Sequence, residues 1–493
     1  MTKSLKEQVV TGAFWNGIER FGTAFFLFVS NLVLARLLSP DDFGCIGMLM
    51  VFISISEAIA DGGFGAALVQ KKQVSRLDYS TIFIWNILVS FFLYGVLFLC
   101  APLIAVFYNI DSLAFILRIQ GVILLFNGLC IVQRSMLQKN LMFKKLAKVN
   151  VTATIGGTVL GIFCAFIGWG IWSLVVKFLF TALMTTVILW IGSKWKPVIR
   201  FSKESFRTLF GFGGFMFLTS ITNSIYQNVI SLVIGKSLSS ATLGYFTQAR
   251  KLEDVPRQTI SSIITNVTFP AFSQLQNDNA RVYAALRKTV ALLGFVNISF
   301  SVLLMIVAKP LIVFLLSEKW VQCVPYFQVI CLYGVGMGFI DLYQSVFKGL
   351  GRSNYLFYTG LLRKSIGVIL ILLGAQWGMK GILFGYVVGQ FIGIVIVSIP
   401  IKRIINYGLL RQASDIIKSA LPSLFAGLAT FILHQYVEIH NNLISLVVQG
   451  SCFLTLLLLI TVVFRVQGGM IIKDLIIGKS EFSLIKKSKN KII

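Results

Sequence analysis

Five charged residues interrupt one otherwise apolar stretch near residues 241–267: Arg250, Lys251, Glu253, Asp254 and Arg257. On a helix, Arg250, Asp254 and Arg257 stand at i, i+4 and i+7 and share one face. Guanidinium groups pair bidentately with phosphate oxygens, so such a face suits a phosphate-bearing ligand. The same spacing lets Arg250 and Asp254 pair along the helix, and both readings stand at this point. Other apolar stretches carry charge too: Glu19 with Arg20, Glu57 with Asp61, Arg118, Lys177, Asp341, and Arg363 with Lys364. A charge at the centre of a bilayer costs about 2.5–3.5 kcal/mol on insertion scales and survives when it is paired or faces water. Eight basic and six acidic residues lie in such stretches, too small a surplus for a uniformly cationic tunnel.

The elements that must position these residues follow from composition. Of 493 residues, 57% are hydrophobic and only 13% charged, against about 25% charged in a soluble domain. The mean hydropathy is +0.85. These values exclude a soluble globule and point to an all-α integral membrane protein. β-Barrel spans are disfavoured because the apolar runs are continuous rather than alternating. Fourteen candidate spans lie near 13–35, 43–64, 80–107, 113–136, 147–168, 170–192, 207–235, 241–267, 285–308, 325–347, 355–374, 378–400, 415–434 and 443–464. The second and eighth are the weakest, since both hold several charges. The formal charge of +26 is explained by basic cytoplasmic loops, and no nucleic-acid signature competes. With both termini cytoplasmic, 31 Lys and Arg fall on the cytoplasmic side, five on the opposite side and eight within spans.

An internal repeat organises the spans. Residues 32–44 read LVLARLLSPDDFG and residues 232–244 read LVIGKSLSSATLG, at an offset of 200. Trp169-Gly170 is answered by Trp377-Gly378, and Ser135 by Ser345. The offset covers six helices, an even number, so the halves are parallel repeats related by an axis along the membrane normal. The expected domains are a six-helix bundle over 1–200, a second over 201–405, and two further helices with a basic tail over 406–493. This layout suits alternating access. Gly381, Gly385, Gly389 and Gly393 recur every four residues, which reads as close helix packing.

Several motifs carry a family likeness: the amphipathic start from Leu5 to Trp15, LARLLSPDDFG (34–44), DGGFGAALVQKK (61–72), FPAFSQLQ (269–276), SEKW (317–320) and GLGRSNY (349–355). In this order and spacing the chain resembles the polysaccharide exporters of the multidrug/oligosaccharidyl-lipid/polysaccharide flippase superfamily, with its lipopolysaccharide or colanic-acid branch nearest. The resemblance implies a MATE-like pair of pseudo-twofold-related six-helix bundles plus two helices. It also implies movement of undecaprenyl-diphosphate-linked oligosaccharides across a bacterial inner membrane. In that architecture the first helices of each half flank a central cleft. Arg20, Arg250, Lys251 and Arg257 are then candidates for contacting the diphosphate, and Glu19, Glu57, Asp61, Glu253, Asp254 and Asp341 for gating or coupling. At offset 200, Glu57 and Arg257 are equivalent positions, and the symmetry would set them on opposite walls of the cleft. For Arg118 and Lys177, pairing or snorkelling to the interface competes with facing the cavity.

The implied partners are the lipid-linked substrate, membrane lipids, polymerase or export machinery, and a coupling cation, Na+ or H+. The alternatives are a drug/cation antiporter or a peptidoglycan-precursor flippase of the same superfamily and, from another class, a membrane glycosyltransferase or polymerase. The stretch 309–324 holds one acid, Glu318, and no His, which is poor material for a catalytic loop. No Walker A pattern occurs, so no nucleotide cofactor is expected. The only histidines, His434 and His440, flank Glu438 in one polar stretch, which reads as a solvated loop rather than a metal site. The seven cysteines show no C-x-x-C and read as small apolar residues.

Overall fold

The computed structural model describes residues 5–193, 195–436, 439–466 and 468–471, without the side chains of residues 5–14, 16, 18, 20, 21, 212, 215, 263 and 264. The described residues form helices joined by short turns and connections, with no strand among them. The first helices are α1 (Leu5–Leu37), α2 (Pro40–Asp61), α3 (Phe64–Gln70), α4 (Arg76–Tyr108), α5 (Ser112–Gln120), α6 (Ile123–Gly128), α7 (Ile131–Lys139), α8 (Phe143–Phe166), α9 (Ile171–Gly192) and α10 (Lys203–Ser237). After them come α11 (Ser240–Gln274), α12 (Asn279–Ile306), α13 (Ala308–Leu316), α14 (Cys323–Gly349), α15 (Ser353–Gly374), α16 (Gly378–Ile405), α17 (Leu409–Tyr436) and α18 (Asn442–Val463).

Among the described residues, ten helical segments are long and apolar enough to cross a bilayer, one of them the 53-residue stretch Ser353–Ile405 that contains α15 and α16. On α4, Phe92, Leu99, Leu103 and Val106 share a face and are 68–77% exposed. Water would penalise that face at about 25 cal/mol per Å² of apolar surface, whereas lipid does not. The chain is a multi-pass membrane protein. The stretches expected near 13–35, 207–235 and 241–267 form α1, α10 and α11. The stretch near 113–136 is three short helices, α5 to α7, interrupted at 121–122 and 129–130.

Two compact units divide the chain, Met1–Thr247 and Gln248–Ile493. In unit 1, Ser39 caps α2: its hydroxyl accepts from Asp42 N at 3.2 Å while Asp42 Oδ2 accepts from Ser39 N at 2.9 Å. Ser75 and Asp78 form the same reciprocal box at the start of α4, satisfying amides that a helix start leaves open. The segment between α9 and α10 is strapped down: Val198 N donates to Ser80 Oγ at 2.9 Å and Ser202 N to Thr81 Oγ1 at 3.1 Å. Trp195 packs edge-on against Tyr79 and Phe83. These contacts, with an Asn228 to Ser54 hydrogen bond of 2.9 Å, tie α10 to unit 1.

The stretches matched at offset 200 start α2 at Pro40 and α11 at Ser240, and within unit 1 these starts touch. A Cβ on Gly44 would collide with the Ser240 carbonyl, and one on Gly244 with the Pro40 carbonyl. Ser240 Oγ donates to Asp41 Oδ1 at 2.6 Å. In unit 2 the glycine ladder of α16 does what its spacing implies: Gly381 meets Gly374 of α15, Gly385 meets the Leu370 carbonyl, and Gly389 meets Gly367. The core of unit 2 gathers Val290, Phe339, Tyr343, Phe347, Val397 and Ile401 from α12, α14 and α16.

Candidate functional site

The charged face of α11 is built, in unit 2, against a helix that lacks side chains where charge approaches. Arg257 Nε donates to Glu253 Oε2 at 3.1 Å, and its Nη2 reaches Asp254 Oδ1. Arg250 Nε lies 3.8 Å from Asp254 Oδ2, the long edge of an ion pair. The side chains of Glu253 and Arg257 are 6% and 15% exposed, and those of Arg250 and Asp254 28% and 27%. Arg257 is therefore clamped by two acids of its own helix, while the Arg250 side chain is the more exposed of the two. Lys251 lies on the exposed side of α11.

Three glycines of α14 make the room. A Cβ on Gly334 would strike Glu253, one on Gly336 would strike Gln390 of α16, and one on Gly338 would strike Asn297 of α12. This alternation admits a polar side chain from each of three neighbouring helices, a role that the sequence pattern alone did not disclose. Beside it, Tyr333 and Tyr386 stack at 3.9 Å with planes 10° apart, within electrostatic reach of Arg250. Gln390 is 2% exposed, and its amide has no hydrogen-bond partner among the described residues. Arg363 is buried with its stem over Gly393 and Nη1 at 3.9 Å from Met337 Sδ. Asp341 accepts from Ser261 Oγ, joining α14 to α11.

Glu19, Glu57 and Asp61 of unit 1 take neutral hydrogen-bond partners. Asn150 of α8 donates to Glu19, and Asn127 of α6 donates to Glu57 at 2.6 Å. Asp61 accepts from Gly63 N at 3.2 Å, so it satisfies an open amide at the start of α3. Glu57 and Arg257 each find these partners within their own unit. The side chain of Arg20 lies outside the described residues. Arg118 lies over the Phe98 ring at 4.7 Å and donates to the Phe98 carbonyl at 3.3 Å. Lys177 is buried, 5.7 Å from the Phe178 ring centre. His434 meets Gln449 at 2.9 Å, whereas Glu438 lies outside the described residues.

The structure thus brings Arg250, Glu253, Asp254 and Arg257 together on α11 and Asp341 with Ser261, and gives Glu19, Glu57 and Asp61 each a partner of its own in unit 1. Charge was the signal that found these residues. Asn127, Asn150, Gln390, Tyr333 and Tyr386 were missed because they are uncharged. An amide inside an apolar span is the signal that would have found the first three, since a buried polar group demands a partner.

Residues 33–325 match the family described as Polysaccharide biosynthesis protein. The lipopolysaccharide biosynthesis protein WzxC of Escherichia coli is 24% identical over 400 residues, 80% of each chain. The teichuronic acid biosynthesis protein TuaB of Bacillus subtilis is 24% identical over 357 residues, 72% of this chain and 74% of its own. Among solved structures, the lipid II flippase MurJ in an inward closed conformation superposes with a TM-score of 0.73 at 16% identity, covering 95% of this chain and all of that one. An inward-facing multidrug resistance MATE transporter of the MOP superfamily gives 0.59 at 14% identity, covering 78% of this chain and 95% of its own. Such identities speak for the fold alone, and the fold agrees with a helical bundle that keeps a charged helix face inside apolar surroundings. With the family match running through more than half of its length, the chain belongs to the polysaccharide biosynthesis protein family.

Proposed function

We propose that this chain is a flippase that moves undecaprenyl-diphosphate-linked oligosaccharides across the bacterial inner membrane by alternating access, for surface polysaccharide synthesis. The observation that carries the reading is the charged face of α11, kept within a bundle of apolar helices in a chain of this family. Arg250, with Arg20, Lys251 and Arg257, supplies guanidinium and ammonium groups to the diphosphate. Glu19, Glu57, Asp61, Glu253, Asp254 and Asp341 change partners or carry a coupling cation, Na+ or H+, as the halves exchange sides. A polymerase or export complex receives the product. No step of this cycle makes or breaks a covalent bond, so the chain works as a transporter rather than an enzyme.

The proposed architecture has fourteen spans. They follow when Ser353–Ile405 is counted as α15 and α16, and α1, α10 and α11 join the apolar segments. Paired bundles over 1–200 and 201–405, two further helices and cytoplasmic termini then agree with the charge bias. A reporter active only in the periplasm, fused after Ile493, is expected to be silent, and one inserted near Asn441 active. The reverse pattern would overturn the topology.

Purified protein in liposomes decides the substrate. Lipid-diphosphate oligosaccharide is expected to cross, and an organic cation is not. Arg250→Ala is expected to cut transport about tenfold to a hundredfold, the loss of one charge-assisted hydrogen bond, with expression and melting unchanged. Full transport by this variant would remove Arg250 from the site. Likeness to the lipid II flippase fold favours a second reading, a peptidoglycan precursor as cargo, and lipid II in the same assay distinguishes the two.

A further inference from the structure

At the end of unit 2 where α12 begins and α16 stops, a cavity of about 340 Å³ opens among Asn279, Tyr283, Arg403, Ile404, Ile405 and Asn406. The chain around it is strongly basic. Arg281, Arg287 and Lys288 stand at the start of α12, and Lys402, Arg403, Arg411 and Lys418 at the end of α16 and the start of α17, against only Asp278 and Asp415. Both acids are engaged. Asp278 accepts from Arg281 N at 3.0 Å and pairs with Arg281 Nε at 3.1 Å. Asp415 takes Arg287 through two bonds of 2.9 and 3.1 Å and the Tyr407 hydroxyl at 2.8 Å. Burial and Asp415 both push the Tyr407 hydroxyl well above the usual phenol range, so it stays a donor to Asp415. Tyr283 stands edge-on against Tyr407 at 5.3 Å, which fixes that wall of the cavity.

The remaining chemistry is two-sided. Arg403 and Lys402 are exposed and present positive charge, and Asn279 and Asn406 offer amides. Ile404, Ile405 and the Tyr283 ring are apolar. A soluble anion would use the first set and leave the second in water. A phosphate joined to glycerol and acyl chain uses both, and basic pockets between membrane helices at the cytoplasmic level are where such headgroups bind. We propose that this cavity binds the phosphodiester headgroup of an anionic phospholipid, with Arg403 on the phosphate, the asparagine amides on the glycerol, and Ile404 and Tyr283 against the first acyl carbons. The site is separate from the charged face of α11 and does not depend on which cargo the protein moves.

The test is native mass spectrometry of the full chain released from nanodiscs holding equal amounts of phosphatidylglycerol and phosphatidylcholine. The wild type is expected to retain phosphatidylglycerol in preference. Lys402→Gln with Arg403→Gln is expected to cut that retention about tenfold, and Arg403→Lys to keep part of it. Lys72→Gln with Arg76→Gln removes the same charge from unit 1, at residues that do not line the cavity, and is expected to change nothing. Equal loss in both double variants would reduce the effect to the general attraction of a basic face and overturn the proposal. Displacement of the lipid by millimolar inorganic phosphate would reassign the cavity to a soluble anion and also overturn it. If the Lys402, Arg403 double variant does not fold, Asn279→Leu decides. It narrows the cavity at constant charge, and undiminished retention would sink the idea.

Discussion

α2 and α11 start alike and end differently. Ser39 and Ser239 each offer a hydroxyl to the amide three residues on, at 3.2 Å in both helices. Gly44 and Gly244 each give way to the other helix's first carbonyl. Further along, offset 200 sets Glu57 against Arg257, Asp61 against Ser261, and Gly62-Gly63 against Ser262-Ile263. The glycines adopt φ of 57° and 71° and α2 stops, whereas α11 continues to Gln274 through Pro256 and Pro270. The acid has also changed sides. In unit 1 it is Asp61 on α2, which closes on Gly65 together with Ser135 of α7; in unit 2 it is Asp341 on α14, bound to Ser261 of α11. The repeat is strict where two backbones touch, because any side chain there collides. It is loose further along, where Asp61 accepts from the backbone of Gly63 while Asp341 binds the Ser261 hydroxyl of a neighbouring helix. One helix became a broken element with neutral partners, the other an unbroken one that concentrates charge.

The strongest way to break this comparison is to remove the charge that holds the others on α11. Arg257→Ala leaves the buried Glu253 without its cation and Asp254 with the 3.8 Å pairing to Arg250. Truncating one partner of a buried ion pair costs about 3–5 kcal/mol. Thermal or denaturant unfolding in detergent is expected to show that loss, and Glu253→Gln in the same chain is expected to restore part of it. A loss below about 1 kcal/mol, the range of exposed pairs, would mean that the α11 charges do not hold one another.

The break in α2 is the next target. Gly63→Ala puts a Cβ on a residue at φ 71° and drives it into the Gly213 carbonyl of α10. Left-handed strain and overpacking together are expected to cost about 2–3 kcal/mol. Ser262, the counterpart of the neighbouring Gly62, is partly exposed and its hydroxyl donates to the Thr259 carbonyl of its own helix, so Ser262→Ala is expected to stay within about 0.5 kcal/mol. Equal melting of the two variants would show that the glycine pair is not what ends α2.

These contrasts also mark what the sequence could disclose. Helix type and the offset of 200 were legible, because apolar runs and cap residues such as Ser39 and Pro40 are local signals. The breaks within 113–136 were not. No proline marks them, and Gly121 sits there in ordinary right-handed conformation, so only packing distinguishes α5, α6 and α7 from one span. Within the candidate site, spacing alone could not choose between an open cationic face and pairing along the helix. The choice turned on Glu253, one position off the Arg250–Asp254–Arg257 row, which turns back to Arg257. Gly334, Gly336 and Gly338 alternate along the chain, but their use depends on what α11, α16 and α12 bring up to them.

The smallest expected effect lies at Glu57, and it sharpens the comparison from the other side. Asn127 Nδ2 donates to Glu57 Oε1 at 2.6 Å, so the partner is a neutral donor from a neighbouring helix. Gln at position 57 offers a carbonyl oxygen at the same reach, and Glu57→Gln is expected to change stability by less than about 1 kcal/mol. Glu57→Leu removes the acceptor and leaves the Asn127 amide unmatched, which is expected to cost about 1–3 kcal/mol. Arg257 allows no such neutral substitute, because each of its two partners is an acid. The two repeat positions should therefore separate cleanly in melting experiments: neutralisation tolerated on α2, truncation costly on α11. Arg134 of α7 stands within electrostatic reach of Glu57 and supplies the competing outcome. If Glu57→Gln lost several kcal/mol, the Glu57 charge itself would be what α7 holds, and α2 would be charge-held in the same sense as α11.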